Sequence, residues 1–246
     1  MTSSLPTVTV VTVVFNGAHD IARTMESVIE QSYPDLEFVV VDGASSDGTQ
    51  DIVRSYAGRV AVFVSESDAG IYNAMNKAIG LATGDYLVFM NCGDVFAAPD
   101  ALATAMRAAT SVTEEVIFGA WLRDEAIRVR LCQPSLAAGL FNHQAIVYSR
   151  SIHRWHGDYV DVPGLTTADY LFFATLIGAR TTVRLTTIDT PIARINVAGV
   201  SSGLQTFSQK NAIDYMCGRK ARVDLLLAIA LHPAYSRVKG WLRRLL

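Results

Sequence analysis

A largely parallel α/β sheet with helices on both faces is the fold class this sequence predicts, on three observations. Four apolar, β-rich runs fall within the first ninety residues, helix-period stripes lie between them, and polar residues gather in the loops that follow the runs. Half of the 246 residues are hydrophobic and 18% are charged, with unexceptional Gly and Pro, so disordered, collagen-like and disulfide-dense classes are excluded. The length suits one large domain, or a domain with a substrate-binding extension.

The runs at 8–15, 37–41, 60–64 and 86–90 read as strands, because continuous apolar segments of this length suit sheets covered on both faces. Between them, Ile21, Met25, Val28 and Ile29 recur at helical spacing. So do Ile52, Val53 and Tyr56, and again Ile71, Met75, Ala78, Ile79 and Ala82, so each helix has one stripe to bury. A helix over 99–110 and a strand over 115–118 continue the alternation. Beyond Trp121 the pattern loosens, with a helix expected over 167–178 and a strand pair over 181–194. No repeat, low-complexity tract or linker interrupts the chain.

In open parallel sheets the ligand lies beyond the carboxyl ends of the strands. The loops there are Asn16-Gly17, Asp42-Gly43-Ala44-Ser45-Ser46-Asp47-Gly48, Ser65-Glu66-Ser67-Asp68-Ala69-Gly70 and Asn91-Cys92-Gly93-Asp94. All four are expected to face one crevice.

Taken together, Val-Asp-Gly-Ala-Ser-Ser-Asp-Gly-Thr at 41–49, Ser-Glu-Ser-Asp-Ala-Gly-Ile-Tyr-Asn-Ala-Met-Asn-Lys-Ala at 65–78 and Ala-Thr-Gly-Asp-Tyr at 82–86 resemble family 2 glycosyltransferases. Asn91 to Asp94 follows at the matching place, and weaker agreement continues at His143-Gln144, Ala168-Asp169-Tyr170 and Gly199-Val200-Ser201. Four motifs in order after four strands are far more specific than any one. The resemblance implies a GT-A fold, a Rossmann-like nucleotide-binding sheet with a smaller acceptor-side region and C-terminal helices. It also implies a UDP- or GDP-sugar donor, a saccharide or lipid-linked acceptor, and hexosyl transfer with inversion. The expected division is a donor-binding half over 1–120, an acceptor and base half over 121–220, and a tail over 221–246.

Charge builds on a diphosphate as it leaves, and a divalent ion bridging its oxygens stabilises it; Mn²⁺ or Mg²⁺ takes carboxylate and water oxygens for this. Asp94 is the candidate ligand, with a turn-capping carboxylate as the alternative. The family commonly carries two acids there, whereas this chain has Asn91 and Gly93 on the approach, so metal binding is expected to be weak or to depend largely on substrate phosphate. Cys92 reads as packing, since a thiolate is too soft for either metal. Asp42 is placed at the base or ribose, and Asp47 reads as a helix cap or Asx-turn residue. Asp68 either caps the next helix or binds ribose, and Lys77 offers a point charge to phosphate or is a solvated surface lysine. Thr12, Phe15, Asn16, Asn76 and Asn91 complete the donor side. Inverting transfer also needs a base for the acceptor hydroxyl, and Asp169, opening an apolar helix, is the candidate, with helix-end stabilisation as the alternative. Asp158 and Asp161 are further candidates. His143 and Gln144 are assigned to the acceptor side or the diphosphate. His153 and His156 flank Trp155 without a third ligand, which speaks against zinc.

Other classes fit less well. A dinucleotide oxidoreductase needs Gly-x-Gly-x-x-Gly after its first strand, where this chain has Phe15-Asn16-Gly17-Ala18, and the basic Gly-rich loop of nucleotidyltransferases is missing. A catalytically degenerate scaffold or partner subunit is the non-enzyme alternative. Three widely spaced cysteines suit reduced thiols, and neither a secretion signal nor a spanning segment is visible, so a cytoplasmic protein is expected. The net charge of −2 is polarised: residues 219–246 hold seven Lys or Arg and one acid, a balance of +6 that leaves −8 before them. Val238, Trp241, Leu242 and Leu245 recur at helical spacing among these charges, the pattern of a helix lying on an anionic membrane surface or docked on the domain. Nucleic acid is not expected as a partner.

Overall fold

The computed structural model describes residues 5–110, 114–178, 183–196 and 204–220. β1 (Val8–Val14) consists of Val and Thr alone, β-branched side chains that pack well on a pleated surface. It pairs in parallel with β2 (Leu36–Asp42) on one side and β4 (Tyr86–Phe89) on the other, and β3 (Val62–Ser65) adds to β2. The crossovers are α1 (Ile21–Ile29), α2 (Thr49–Ser55) and α3 (Ile71–Leu81). Val10, Val40 and Val88 pack toward Ile21 and Met25 of α1, whereas Val11, Val39 and Phe89 pack toward Met75 and Ala78 of α3. Burial on both faces is why these strands read as unbroken apolar runs.

Beyond β4 the sheet reverses. β8 (Ile146–Ser149) joins β4 antiparallel, β6 (Glu115–Asp124) joins β8 antiparallel, and β9 (Arg184–Ile195) runs parallel to β6. β5 (Val95–Phe96) closes the far edge on β9, and β7 (Val129–Cys132) forms a hairpin with β6. Among the described residues the order of the sheet is therefore β3-β2-β1-β4-β8-β6-β9-β5, with β7 on β6. Two further helices sit on opposite faces, α4 (Ala101–Met106) packing with α1 and α6 (Ala168–Gly178) with α3. A short α5 (Ile152–His156) follows β8, and α7 (Leu204–Met216) lies against α6.

The strand pair expected over 181–194 is one strand instead. Its extra residues are absorbed as register shifts against β6, between Gly119 and Ala120 and between Ala120 and Trp121, rather than as a turn. Gly119 permits this, because a Cβ there would collide with Ile192 Cγ1 on β9. The strand expected to stop at 118 continues to Asp124, so β6 passes through residue 120 and carries one sheet across both expected halves. No helix among the described residues is long and apolar enough to cross a membrane. The basic tail over 221–246 lies outside the described residues, as does Gly199-Val200-Ser201.

Candidate active site

At the carboxyl ends of β1 and β2 two loops clasp each other. Asn16 Oδ1 accepts from the Ser46 amide at 3.0 Å, and the Asn16 amide donates to Ser45 Oγ at 2.7 Å. Both loops hold a non-glycine residue in the left-handed region, Asn16 at φ 49° and Ala44 at φ 61°, a local strain that the clasp sustains. Asp42 is wholly buried; Oδ2 accepts from the Ser45 amide at 2.9 Å and the Ser65 hydroxyl at 2.7 Å, while Oδ1 is buried with no partner among the described residues. Phe15 is 69% exposed. Gly43 brings these groups together: a Cβ on it would stand 3.1 Å from Asp68 Oδ2 and 3.3 Å from Phe15 Cδ2. Asp47 accepts from the Thr49 amide at 3.1 Å and the Ala18 amide at 3.0 Å, joining the start of α2 to the first loop.

Three residues expected on the donor side are committed elsewhere. Thr12 is buried within β1 and donates to the Met90 carbonyl at 2.8 Å, so it does not reach the crevice. Asn76 pairs both ways with the backbone of Tyr159, donating at 2.8 Å and accepting at 3.1 Å, and so pins the loop before α6 to α3. Lys77 Nζ lies 2.6 Å from Asp68 Oδ1, 2.8 Å from Glu66 Oε1 and 3.0 Å from the Ser67 carbonyl. An ammonium has three protons, and these partners take all of them. Its charge therefore holds the β3–α3 loop together instead of facing outward.

After β4, Asn91 turns its Oδ1 inward, buried with no partner among the described residues. Asp94 Oδ1 accepts from the Asn196 amide at 3.0 Å, which fastens the end of β9 to this loop. Burial pushes the Asp94 carboxyl up to about 6, although the Asn196 amide, Arg23 and a hydrogen bond from Gln144 pull it back. Burial also pushes the Cys92 thiol up to about 12, and its Sγ lies 3.7 Å from the Gly17 carbonyl, in keeping with packing. No group of three His, Cys, Asp or Glu side chains suited to a metal occurs among the described residues. A hard cation would find one carboxylate here, that of Asp94, and would need its remaining oxygens from substrate phosphate and water.

On the other wall stands Asp169, in the first turn of α6. Its Oδ1 accepts from the Tyr72 hydroxyl at 2.7 Å, and its Oδ2 lies 3.9 Å from His143 Nδ1. Burial and the Asp169 charge hold the Tyr72 phenol well above its ordinary range, so it stays a donor. His143 opens a 3-10 turn (His143–Ala145) capped by Asn142, whose Oδ1 accepts from the Gln144 amide at 3.1 Å. A cleft is lined by Tyr72, Asn91, His143, Gln144, Asp169 and Lys210. The strand-end loop and the base candidate thus meet across one opening. Asp161 accepts from Asn73 at 3.1 Å, and Asp158 lies beside His153, neither of them lining the cleft.

Sequence reasoning missed Tyr72 and Lys210. Tyr72 sits three residues before Met75, on the buried stripe of α3, and a buried tyrosine needs a partner for its hydroxyl. Lys210, on α7, stands 4.9 Å over the Tyr170 ring, and no local motif marks it.

Residues 9–153 match the family described as Glycosyl transferase family 2. The chain belongs to that family. An uncharacterized glycosyltransferase of Mycobacterium tuberculosis is 39% identical over 107 residues, which cover 43% of this chain and 41% of that one. The chain thus spans about two-fifths of the length of the curated relatives it matches. Among solved structures, S. aureus TarS 1–349 in complex with UDP-GlcNAc superposes with a TM-score of 0.69 at 16% identity, covering 91% of this chain and 70% of that one. The mannosyltransferase PcManGT of Pyrobaculum calidifontis in complex with GDP-Man and Mn²⁺ gives 0.67 at 23% identity, covering 93% and 70%. These likenesses establish the GT-A fold of this family 2 member.

Proposed function

We propose that this family 2 member is an inverting glycosyltransferase that moves a sugar from a UDP- or GDP-sugar to a hydroxyl of a saccharide or lipid-linked acceptor. The observation that carries the proposal is the cleft in which Asp169 faces Asn91 and Gln144, beside the strand-end loop of Asp94. On this reading the exposed Phe15 ring gives the nucleobase a stacking face, and Asp42 Oδ1, wholly buried and without a partner among the described residues, would reach a base N–H only when the strand-end loops part. Asp68 keeps Oδ2 beside Gly43 for the ribose, where the absence of a side chain leaves room. A divalent ion held by Asp94 would supply charge neutralisation for the departing diphosphate. Lys210, rather than Lys77, brings a cationic side chain to the cleft.

Asp169 takes the acceptor proton as the oxygen attacks from the side opposite the diphosphate, while Tyr72 holds the carboxylate by its other oxygen. Donor hydrolysis tests this without knowledge of the acceptor. Purified protein with Mn²⁺ is expected to release UDP from UDP-GlcNAc or GDP from GDP-mannose, and the matching nucleoside diphosphate is expected to raise the unfolding temperature. Neither release nor a thermal shift with any sugar nucleotide would favour a scaffold over an enzyme.

A further inference from the structure

A buried file of hydrogen-bonding rings leads away from Asp169. His143 Nε2 lies 3.0 Å from the Tyr159 hydroxyl, that hydroxyl 3.0 Å from the Tyr148 hydroxyl, and the Tyr148 hydroxyl 3.0 Å from His153 Nε2. At the far end His153 Nδ1 is 3.0 Å from the Gly157 carbonyl and 3.5 Å from Asp158 Oδ1. All four rings are buried, packed on one another and on Phe89, Phe172 and Phe173.

With neutral imidazoles, the protons of this file have one arrangement. A carbonyl oxygen only accepts, so His153 Nδ1 carries the proton and Nε2 is bare. Tyr148 then donates to His153 Nε2, which obliges Tyr159 to donate to Tyr148 and His143 Nε2–H to donate to Tyr159. Nδ1 of His143 is left bare, facing Asp169 Oδ2 at 3.9 Å. That separation agrees, since an N–H directed at a carboxylate closes to about 2.7–3.2 Å. Burial holds His143 down at about 4 and His153 below its ordinary range, keeping both neutral near pH 7.

We propose that this file is a tautomer lock that keeps a bare imidazole nitrogen aimed at Asp169. When the base takes the acceptor proton on Oδ2, the new carboxylic O–H has His143 Nδ1 as its acceptor once the two atoms close from 3.9 Å to hydrogen-bond distance. No other bond in the file changes, and the proton stays on Oδ2 until the product leaves. His143, Tyr159, Tyr148 and His153 are positioning residues, acting through Asp169. The inference rests on Asp169 being the base.

Imidazole ¹⁵N spectra of the intact protein at pH 7.5 test the lock directly. His143 is expected as the Nε2–H tautomer, and finding Nδ1–H or imidazolium in the wild type would overturn the proposal. Tyr148→Phe breaks the file in its middle and is expected to let His143 sample Nδ1–H, whereas Asp169→Asn leaves the tautomer as it is. The reverse pattern would show that the carboxylate, not the file, sets it. In hydrolysis of UDP-GlcNAc or GDP-mannose, whichever is turned over, Tyr148→Phe is expected to lower kcat about tenfold with KM unchanged, well short of the about 10⁴-fold loss when the wrong tautomer is enforced, because His143 only samples it. An unchanged kcat would refute the catalytic part. If Asp169→Asn hydrolyses donor as fast as wild type, the base assignment fails while the tautomer result stands, so the two failures are distinguishable.

Discussion

Tyr72 donates its phenolic proton to Asp169 Oδ1 at 2.7 Å, joining the buried stripe of α3 to the first turn of α6 across 97 residues of sequence. The bond leaves Oδ2 facing His143, and Asp169 lines the cleft, so one carboxylate is both anchored and available.

Removing proton-accepting capacity at this carboxylate separates chemistry from binding. Asp169→Asn is expected to lower transfer about a hundredfold to ten-thousandfold with donor affinity little changed. Tyr72→Phe removes one hydrogen bond to a charged group and is expected to cost about tenfold to a hundredfold in kcat. Parallel loss of donor binding, measured by calorimetry, would move Asp169 into donor recognition.

Asp94→Asn is expected to impair sugar-nucleotide turnover without shifting the unfolding midpoint much, and a chelator is expected to do the same to wild type. Full activity in EDTA would remove the divalent ion from the mechanism.

Lys77 holds Glu66, Asp68 and the Ser67 carbonyl together, and its ammonium is held above its ordinary range chiefly by the hydrogen bond to Asp68. Lys77→Met is therefore expected to raise the KM for donor while leaving kcat near wild type, because Asp68 loses its tether. A fall in kcat alone would place the charge at the reacting phosphate.

Burial, opposed in part by Asp169, lowers the His143 imidazole from 6.5 to about 4 in the folded protein. The unfolded chain then binds more protons than the folded one between these values, so stability is fully present above pH 6.5 and is lost as pH falls toward about 4. The loss from this group is about 3 kcal/mol. Urea midpoints at pH 7 and pH 4.5 should differ less in His143→Gln than in wild type; equal differences would show that His143 titrates normally.

Residues 236–246 are proposed to hold the protein at an anionic membrane surface through Trp241, Leu242 and the surrounding Arg and Lys. The intact protein is expected to co-sediment with anionic vesicles at low salt, and deletion of 236–246 is expected to abolish this while sparing donor hydrolysis. No binding at low salt would leave a docked helix as the better account.

The parallel half of the sheet was legible because two-sided burial writes itself as apolar runs, and β1, β2 and β4 fall where those runs lie. Asp169 is singled out by the local Ala-Asp-Tyr element, and it lines the cleft. Its partners Tyr72 and His143 were not seen as a set, because they come together only in three dimensions. Lys77 shows the limit at short range. The sequence displays its charge and the acids at 66 and 68, but only the fold of the β3–α3 loop shows that they saturate it. The strand pair failed at β9 for a related reason, since a bulge and a turn both require extra residues and the sequence does not say which partner strand absorbs them.

The span of the Tyr72–Asp169 bond bears on the order of assembly. Phe15, Asp42 and Asp68 lie on strands and loops that neighbour one another along the chain, so that corner can form from nearby segments. Asp169 meets Tyr72 only when a far larger ring of chain closes, and distant pairings of this kind are the slow ones. In refolding, amides of β1 and β2 should become protected from exchange ahead of those in α6. On the proposed assignment of these residues, a chain halted between these two stages would grip a nucleotide while lacking the means to use it.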